Sequence, residues 1–196
     1  MSHSVTIYIA NSASPTNNED GTRGHSITGH MWFSLNDDST GAKYCYGFHP
    51  AEDGDMRSPI GRVKTNDNAT YPSPWFKTTF QISDDEYENL MQYCESTRIN
   101  HTFGPYWGIG NSCINYTMNV MSSIRYGDFC DYPSPIPIAN TTMLSIATSN
   151  YNSMLEREAR EAERKAREVE RKEAERQTFP TQQQYSTQPN PFGFIS

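Results

Sequence analysis

Residues 5–10 alternate apolar Val5, Ile7 and Ile9 with Thr6 and Tyr8, and this period of two in β-branched and aromatic residues predicts a first strand. A polar run with Gly and Asn, residues 11–24, reads as a loop. Residues 25–35 give the clearest strand in the chain. Alternation there sets Thr28, His30, Trp32 and Ser34 on one face and Met31, Phe33 and Leu35 on the other. Turn-forming residues 36–41 and a second apolar stretch at 42–48 predict an antiparallel hairpin with it. Residues 51–74 are rich in Pro, Gly, Asn and Asp and read as an extended loop, and residues 75–82 as a third strand.

The period then changes to that of helices. Ser83 with Glu86 three residues later is a capping-box signal, and Tyr87, Leu90, Met91 and Cys94 follow at i, i+3, i+4, i+7, which predicts a helix to about residue 97. Ser112 is the N-cap of a second helix that carries Ile114, Met118, Met121 and Ile124. Three prolines between 133 and 137 exclude helix or central strand there. From about residue 154 to 177 Glu, Arg, Lys and Ala dominate, with opposite charges four apart at Glu156/Arg160, Glu161/Lys165, Glu163/Arg167 and Glu168/Lys172. The seam of Leu155, Ala159, Ala162, Ala166 and Val169 is too thin for a strong coiled coil, so a solvated single helix is expected. The Gln-, Ser-, Thr- and Pro-rich end reads as disordered. The expected organisation is an α+β domain at 1–150, a charged helix at 151–178 and a disordered tail at 179–196.

Composition narrows the function classes. With 35% hydrophobic residues in 196, one core of roughly 150 residues is affordable. Residues 153–177 hold eight Glu against six Arg and two Lys, so the whole net charge of −7 lies elsewhere, chiefly on the globular part. An acidic domain without a basic stripe does not predict a nucleic-acid partner. No run of eighteen apolar residues predicts an integral membrane segment. The N-terminus lacks a basic segment followed by an apolar core, so the expectation is synthesis in the cytoplasm without a signal peptide. Cys45, Cys94, Cys113 and Cys130 are widely spaced, which favours reduced thiols and predicts neither a structural metal nor a cofactor.

One cysteine has a setting that suits chemistry. Cys113 falls on the first turn of its helix, where free backbone N–H groups stabilise a thiolate and can hold a developing oxyanion. A thiolate mechanism needs a base near neutral pH, and His30 is the candidate. If the 36–41 turn closes symmetrically, His30 lies across from residues 47–49. His49 is then the candidate third residue, accepting the other ring N–H of His30 and fixing its tautomer. Cys94 is explained by packing. Asn115 reads as a brace for the helix start.

The segments Gly29-His30-Met31-Trp32-Phe33-Ser34-Leu35, Tyr46-Gly47-Phe48-His49-Pro50 and Asn111-Ser112-Cys113-Ile114-Asn115-Tyr116, in that order, resemble the circularly permuted NlpC-type branch of the papain-like cysteine hydrolases. More narrowly they resemble the TseH-like type VI secretion effectors. The resemblance covers roughly residues 5–124 and implies a papain-like fold, Cys113 as nucleophile, His30 as general base and, on the following strand, His49 as third residue. It further implies an antibacterial toxin that is secreted and delivered to the periplasm of a target cell, where it cleaves peptide amides of peptidoglycan. A cognate immunity protein, and a secretion-machinery component bound by the C-terminal helix, are the partners expected with it. Two other readings fit the same residues: a thiol protease or acyltransferase acting on protein or lipid, and a non-catalytic adaptor that recruits a partner through the charged helix.

Overall fold

The computed structural model describes residues 2–18, 20–51 and 57–178. The expected tail at 179–196 lies outside them. The strands are β1 (His3–Ala10), β2 (Pro15–Asn17), β3 (Arg23–His25), β4 (His30–Asp37), β5 (Ala42–Pro50), β6 (Arg57–Ser58), β7 (Gly61–Lys64), β8 (Phe76–Ile82) and β9 (Tyr106–Trp107). The helices are α1 (Asp67–Thr70), α2 (Asp84–Asn100), α3 (Cys113–Ser122) and α4 (Thr141–Thr178). Two compact units divide at Met154.

The first unit, Met1–Ser153, is a mixed α/β fold around a five-stranded sheet of order β7-β5-β4-β1-β8, and each of its strand pairs is antiparallel. Pairing Val5 with Leu35, Ile7 with Phe33 and Ile9 with Met31 gathers the apolar residues of both strands on one face. Helical residues cover that face. Tyr116 packs on Phe33 and Phe48, and Tyr126 stacks on Phe80 at 3.8 Å. The predicted core positions of α3, Ile114, Met118, Met121 and Ile124, are all buried.

The opposite face of β4 is buried too, although alternation would leave it polar and wet. Trp32 packs there with Ala10 and Cys45, while Asn36 donates to Ser4 and Thr6 and accepts from Ser34 at 2.8 Å. These bonds satisfy the side chains of Ser4, Thr6, Ser34 and Asn36, which the sheet buries.

Three expectations change. The loop expected at 11–24 holds β2 and the start of β3. The strand expected at 25–35 is broken: β3 pairs with β2 in a separate ribbon, and β4 starts only at His30, after Gly29 turns with φ +86°. The loop expected at 51–74 holds β6, β7 and α1, elements of two to four residues that are too short to show a period. β7 finds its place by pairing with Gly47–Pro50.

Within the first unit, α4 contributes Leu144, Ala147 and Tyr151 to the core, with Tyr151 set edge-on against Phe80, Tyr126 and Phe129. The charged stretch that follows carries ion pairs at the i, i+4 spacing, including Glu156–Arg160 and Glu168–Lys172. No helix among the described residues is long and apolar enough to cross a membrane. Truncating the buried Tyr151 to alanine removes an aromatic anchor of the core. Urea unfolding of Tyr151→Ala is expected to show a loss of about 3 kcal/mol, and Val169→Ala, on the charged stretch, a loss of no more than about 0.5 kcal/mol.

Candidate active site

The start of β4 and the start of α3 meet at one place. Gly29 brings the chain against the end of β1 so closely that an added Cβ would lie 2.7 Å from the Ala10 carbonyl oxygen, and His30 follows at once. On the helix side, Ser112 is extended (φ −132°, ψ −176°) and the Asn115 side-chain oxygen accepts from the Ser112 N–H at 3.1 Å and from its hydroxyl at 3.0 Å. That brace holds the first turn and fixes Cys113 within it. The buried Cys113 thiol lies within hydrogen-bonding reach of the His30 ring, and the Met31 N–H is directed at the same sulfur.

His30 is clamped by its neighbours. Its ring lies against both Trp32 and Tyr71, with centroids at 5.6 and 5.0 Å, and those two rings are themselves 5.0 Å apart. The β4–β5 register pairs Phe33 with Tyr46, and the same register carried three residues on sets His30 across from His49. Their ring centroids are 4.3 Å apart.

A carboxylate that the sequence reading passed over sits between the two histidines. Asp67, the first residue of α1, is fully buried. The Nε2–H of His49 donates to Asp67 Oδ1 at 2.7 Å, and His30 Nε2 stands 3.4 Å from the same oxygen. The shorter contact is a hydrogen bond and the longer one an ion-pair contact, since His30 Nε2 lacks hydrogen-bond geometry to any partner. That nitrogen faces Asp67, which leaves Nδ1 to face the thiol. The role expected of His49 was to accept from His30; in this geometry it donates to Asp67, and Asp67 stands beside both rings.

Gly47 makes room for this arrangement. A Cβ there would lie 1.8 Å from Asp67 Oδ2 and 3.0 Å from His30 Nε2. No neighbouring residue marks Asp67 out in the sequence, where it is one of several acids in a polar stretch. The available signal was Gly47 itself, a glycine two residues before His49 in an otherwise bulky strand.

Charges follow from this geometry. Burial alone would raise the Asp67 carboxyl, but His49 and His30 outweigh it and hold the group below the usual carboxylate range. Burial works against charge on His30 as well, yet the negative charges at Asp67 and Cys113 lift it well above an ordinary histidine. For His49, burial together with the charge on His30 prevails over Asp67, so it titrates below the ordinary value and is the neutral partner. Burial raises the Cys113 thiol, but His30 and the Met31 N–H prevail and lower it. The other three thiols move the opposite way: burial pushes Cys45 and Cys94 up to about 12 and Cys130 to about 11. All four cysteines are free. These directions favour a proton on His30, between the Cys113 sulfur and the Asp67 carboxylate, an arrangement able to take up and return one proton beside a nucleophile.

One donor atom each from His30, His49 and Asp67 falls within 4.8 Å of the others, a spacing that one metal ion would also accept. Pairing of a carboxylate with two imidazoles accounts for that spacing by itself.

A cleft crosses the pair. Cys113 borders a groove of about 890 Å³, His30 and His49 a smaller hollow of about 200 Å³, and Thr28, Gly29 and Tyr106 line both.

Two measurements check this geometry. Because His30 and the Met31 N–H lower the Cys113 thiol, its alkylation by iodoacetamide is expected to level off below the ordinary thiol value of about 8.5, and to exceed that of Cys45, Cys94 and Cys130 by at least about tenfold at pH 7. In His30→Ala the Cys113 profile is expected to move up to that ordinary value or beyond. Gly47→Ala is expected to cost about 1–3 kcal/mol on urea unfolding, because its Cβ must displace the Asp67 carboxylate, and to lower the neutral-pH alkylation rate of Cys113 as well.

No family model, no curated protein and no solved structure matches this chain.

Proposed function

We propose that the protein is a cysteine hydrolase that cleaves amide bonds through a Cys113–His30 couple, with Asp67 orienting His30. The observation that carries this reading is the Cys113 thiol on the first turn of α3 beside a buried imidazole, which a buried carboxylate backs in turn. The order of elements, histidine strand before nucleophile helix, supports a circularly permuted papain-like arrangement.

The Cys113 thiolate attacks the amide carbonyl carbon, forming a C–S bond while the π electrons move to oxygen. The Cys113 N–H at the helix start is aimed at that oxyanion. The Tyr106 hydroxyl is a fitting second donor: it is within hydrogen-bonding reach of the Cys113 thiol and backbone, and burial together with the nearby thiolate keeps it protonated. As the tetrahedral adduct collapses the C–N bond breaks, and His30 gives its proton to the leaving amine. Water then attacks the thioester, His30 takes the water proton, and the carboxylic acid departs as the thiolate is restored. Asp67 holds the ring and stabilises its charged form throughout. His49, bonded to the same Asp67 oxygen that His30 faces, fixes the carboxylate in turn.

The TseH-like resemblance supports an antibacterial effector, secreted and acting on wall peptide in the target periplasm, with an immunity protein in the producing cell. The test expresses the protein in bacteria with and without a periplasmic leader, at matched levels. Lysis is expected only from the periplasm and is abolished by Cys113→Ala; undiminished toxicity of that variant overturns the nucleophile. On whichever substrate is cleaved, Asp67→Asn is expected to lower kcat by about 10²–10⁴-fold with KM little changed.

A further inference from the structure

The two hollows that meet at the catalytic pair differ in chemistry. The larger, beside Cys113, has walls of Tyr106, Trp107, Ile109, Pro135, Ile136 and Pro137, with no Asp, Glu, Lys, Arg or His among the described residues that line it. Trp107 is 54% exposed, Ile136 56% and Ile109 81%. Such a cluster of large apolar side chains in contact with solvent costs free energy unless something covers it. The smaller hollow, beside His30, is lined by hydrogen-bonding groups such as Asn17, Asn18, Ser26 and Thr28.

Both apolar walls are held in place rather than loose. Asn140, itself buried, accepts from the Ser134 N–H at 2.8 Å and donates to the carbonyls of Ser134, Ile136 and Pro137 at 3.0, 3.0 and 3.3 Å. It ties down the proline loop. Across the groove, the Asn111 side chain donates to the carbonyls of Pro105 and Phe103, and the Trp107 N–H donates to the Asn111 carbonyl at 2.7 Å. A pre-formed apolar groove ending at a nucleophile is a recognition site for the group attached to the carbon it attacks.

Polarity across the cleft follows from the chemistry. The leaving group must lie where His30 can protonate it, so it occupies the polar hollow. The carbonyl side of the substrate then lies in the apolar groove. Resting on the hydrolase reading above, the geometry points to a peptide substrate with a large apolar residue on the carbonyl side of the cleaved amide. Apolar side chains fit the exposed Trp107, Ile109 and Ile136, while the polar hollow supplies hydrogen bonds for the peptide that follows. A carboxylate on the carbonyl-side residue loses water in the groove and meets no cation among the described residues that line it. The inference thus keeps the amide-hydrolase part of the reading above and replaces its wall peptide, whose residues are small or charged, with a peptide that carries a large apolar residue there.

The test measures labelling of Cys113 in the full chain by three chloromethyl ketones, with acetyl-Ala-Leu, acetyl-Ala-Glu or an unbranched eight-carbon chain on the ketone. In each the sulfur displaces chloride to form a thioether, and intact mass reports the rate. Iodoacetamide, which has no recognition element, sets the reactivity of the thiol itself. The leucyl reagent is expected to label Cys113 about 10- to 100-fold faster than the glutamyl one, and faster than the eight-carbon chain. Ile136→Lys is expected to reduce that preference at least about tenfold and Trp107→Ala to reduce it less, each with an unchanged iodoacetamide rate. Rapid iodoacetamide labelling with equal or faster glutamyl labelling overturns the apolar assignment and leaves the hydrolase reading standing. Fastest labelling by the eight-carbon chain assigns the groove to an acyl lipid and overturns the peptide. Slow, uniform iodoacetamide labelling of all four cysteines removes the hydrolase reading and this inference with it.

Discussion

One buried carboxylate ties the candidate site to the fold. Asp67 is fully enclosed, and an ionised acid in that position requires cationic or donor partners nearby. His49 supplies a hydrogen bond at 2.7 Å and His30 an ion-pair contact at 3.4 Å. Those two side chains come from adjacent antiparallel strands, so the sheet register sets where the charge is compensated. Shifting β5 by one residue would turn His49 and Gly47 to the other face and strand the carboxylate. Stability and chemistry share the same three groups.

The difference between the two histidines follows from what each touches. His30 is buried and His49 partly so, and both face Asp67, yet only His30 also faces a thiol that can be negative. A proton on His30 is therefore attracted from two sides, whereas a proton on His49 would sit beside a positive ring. This asymmetry leaves one imidazole charged and the other a neutral donor that steadies the acid. The low thiol of Cys113 is the counterpart of the same proton. Cys45, Cys94 and Cys130 lie within the same unit, and at each of them burial prevails and raises the thiol.

Around this charged centre the walls are apolar and are pinned by asparagine side chains rather than by regular structure. Asn140 satisfies carbonyls of a loop whose prolines keep it out of a sheet, and Asn111 satisfies those of Phe103 and Pro105, just outside the two-residue β9. Loops fixed in this manner can present Trp107, Ile109 and Ile136 to solvent without collapsing onto Cys113. The groove is thus a property of buried polar bonds as much as of the apolar side chains that line it.

Local pattern determined a good part of this protein. Alternation in β1, β4 and β8, the capping box at Ser83 and the apolar spacing after Ser112 follow from backbone geometry and burial of one face, and each element is present in the structure, although β4 begins only at His30 and α3 ends at Ser122. The same local logic set Cys113 at a helix start, and a symmetric hairpin brought His30 and His49 into one neighbourhood. The tertiary structure alone decided the rest. Asp67 belongs to a four-residue helix with no period, and it reaches the histidines only because β7 pairs with β5 and Gly47 leaves a hollow beneath it. The break at Gly29, the burial of the second face of β4 and the joining of two distant loops into one groove likewise depend on contacts between residues far apart in the chain. A short element carries too few residues to announce its own burial, and its place is fixed by partners that the sequence does not put beside it.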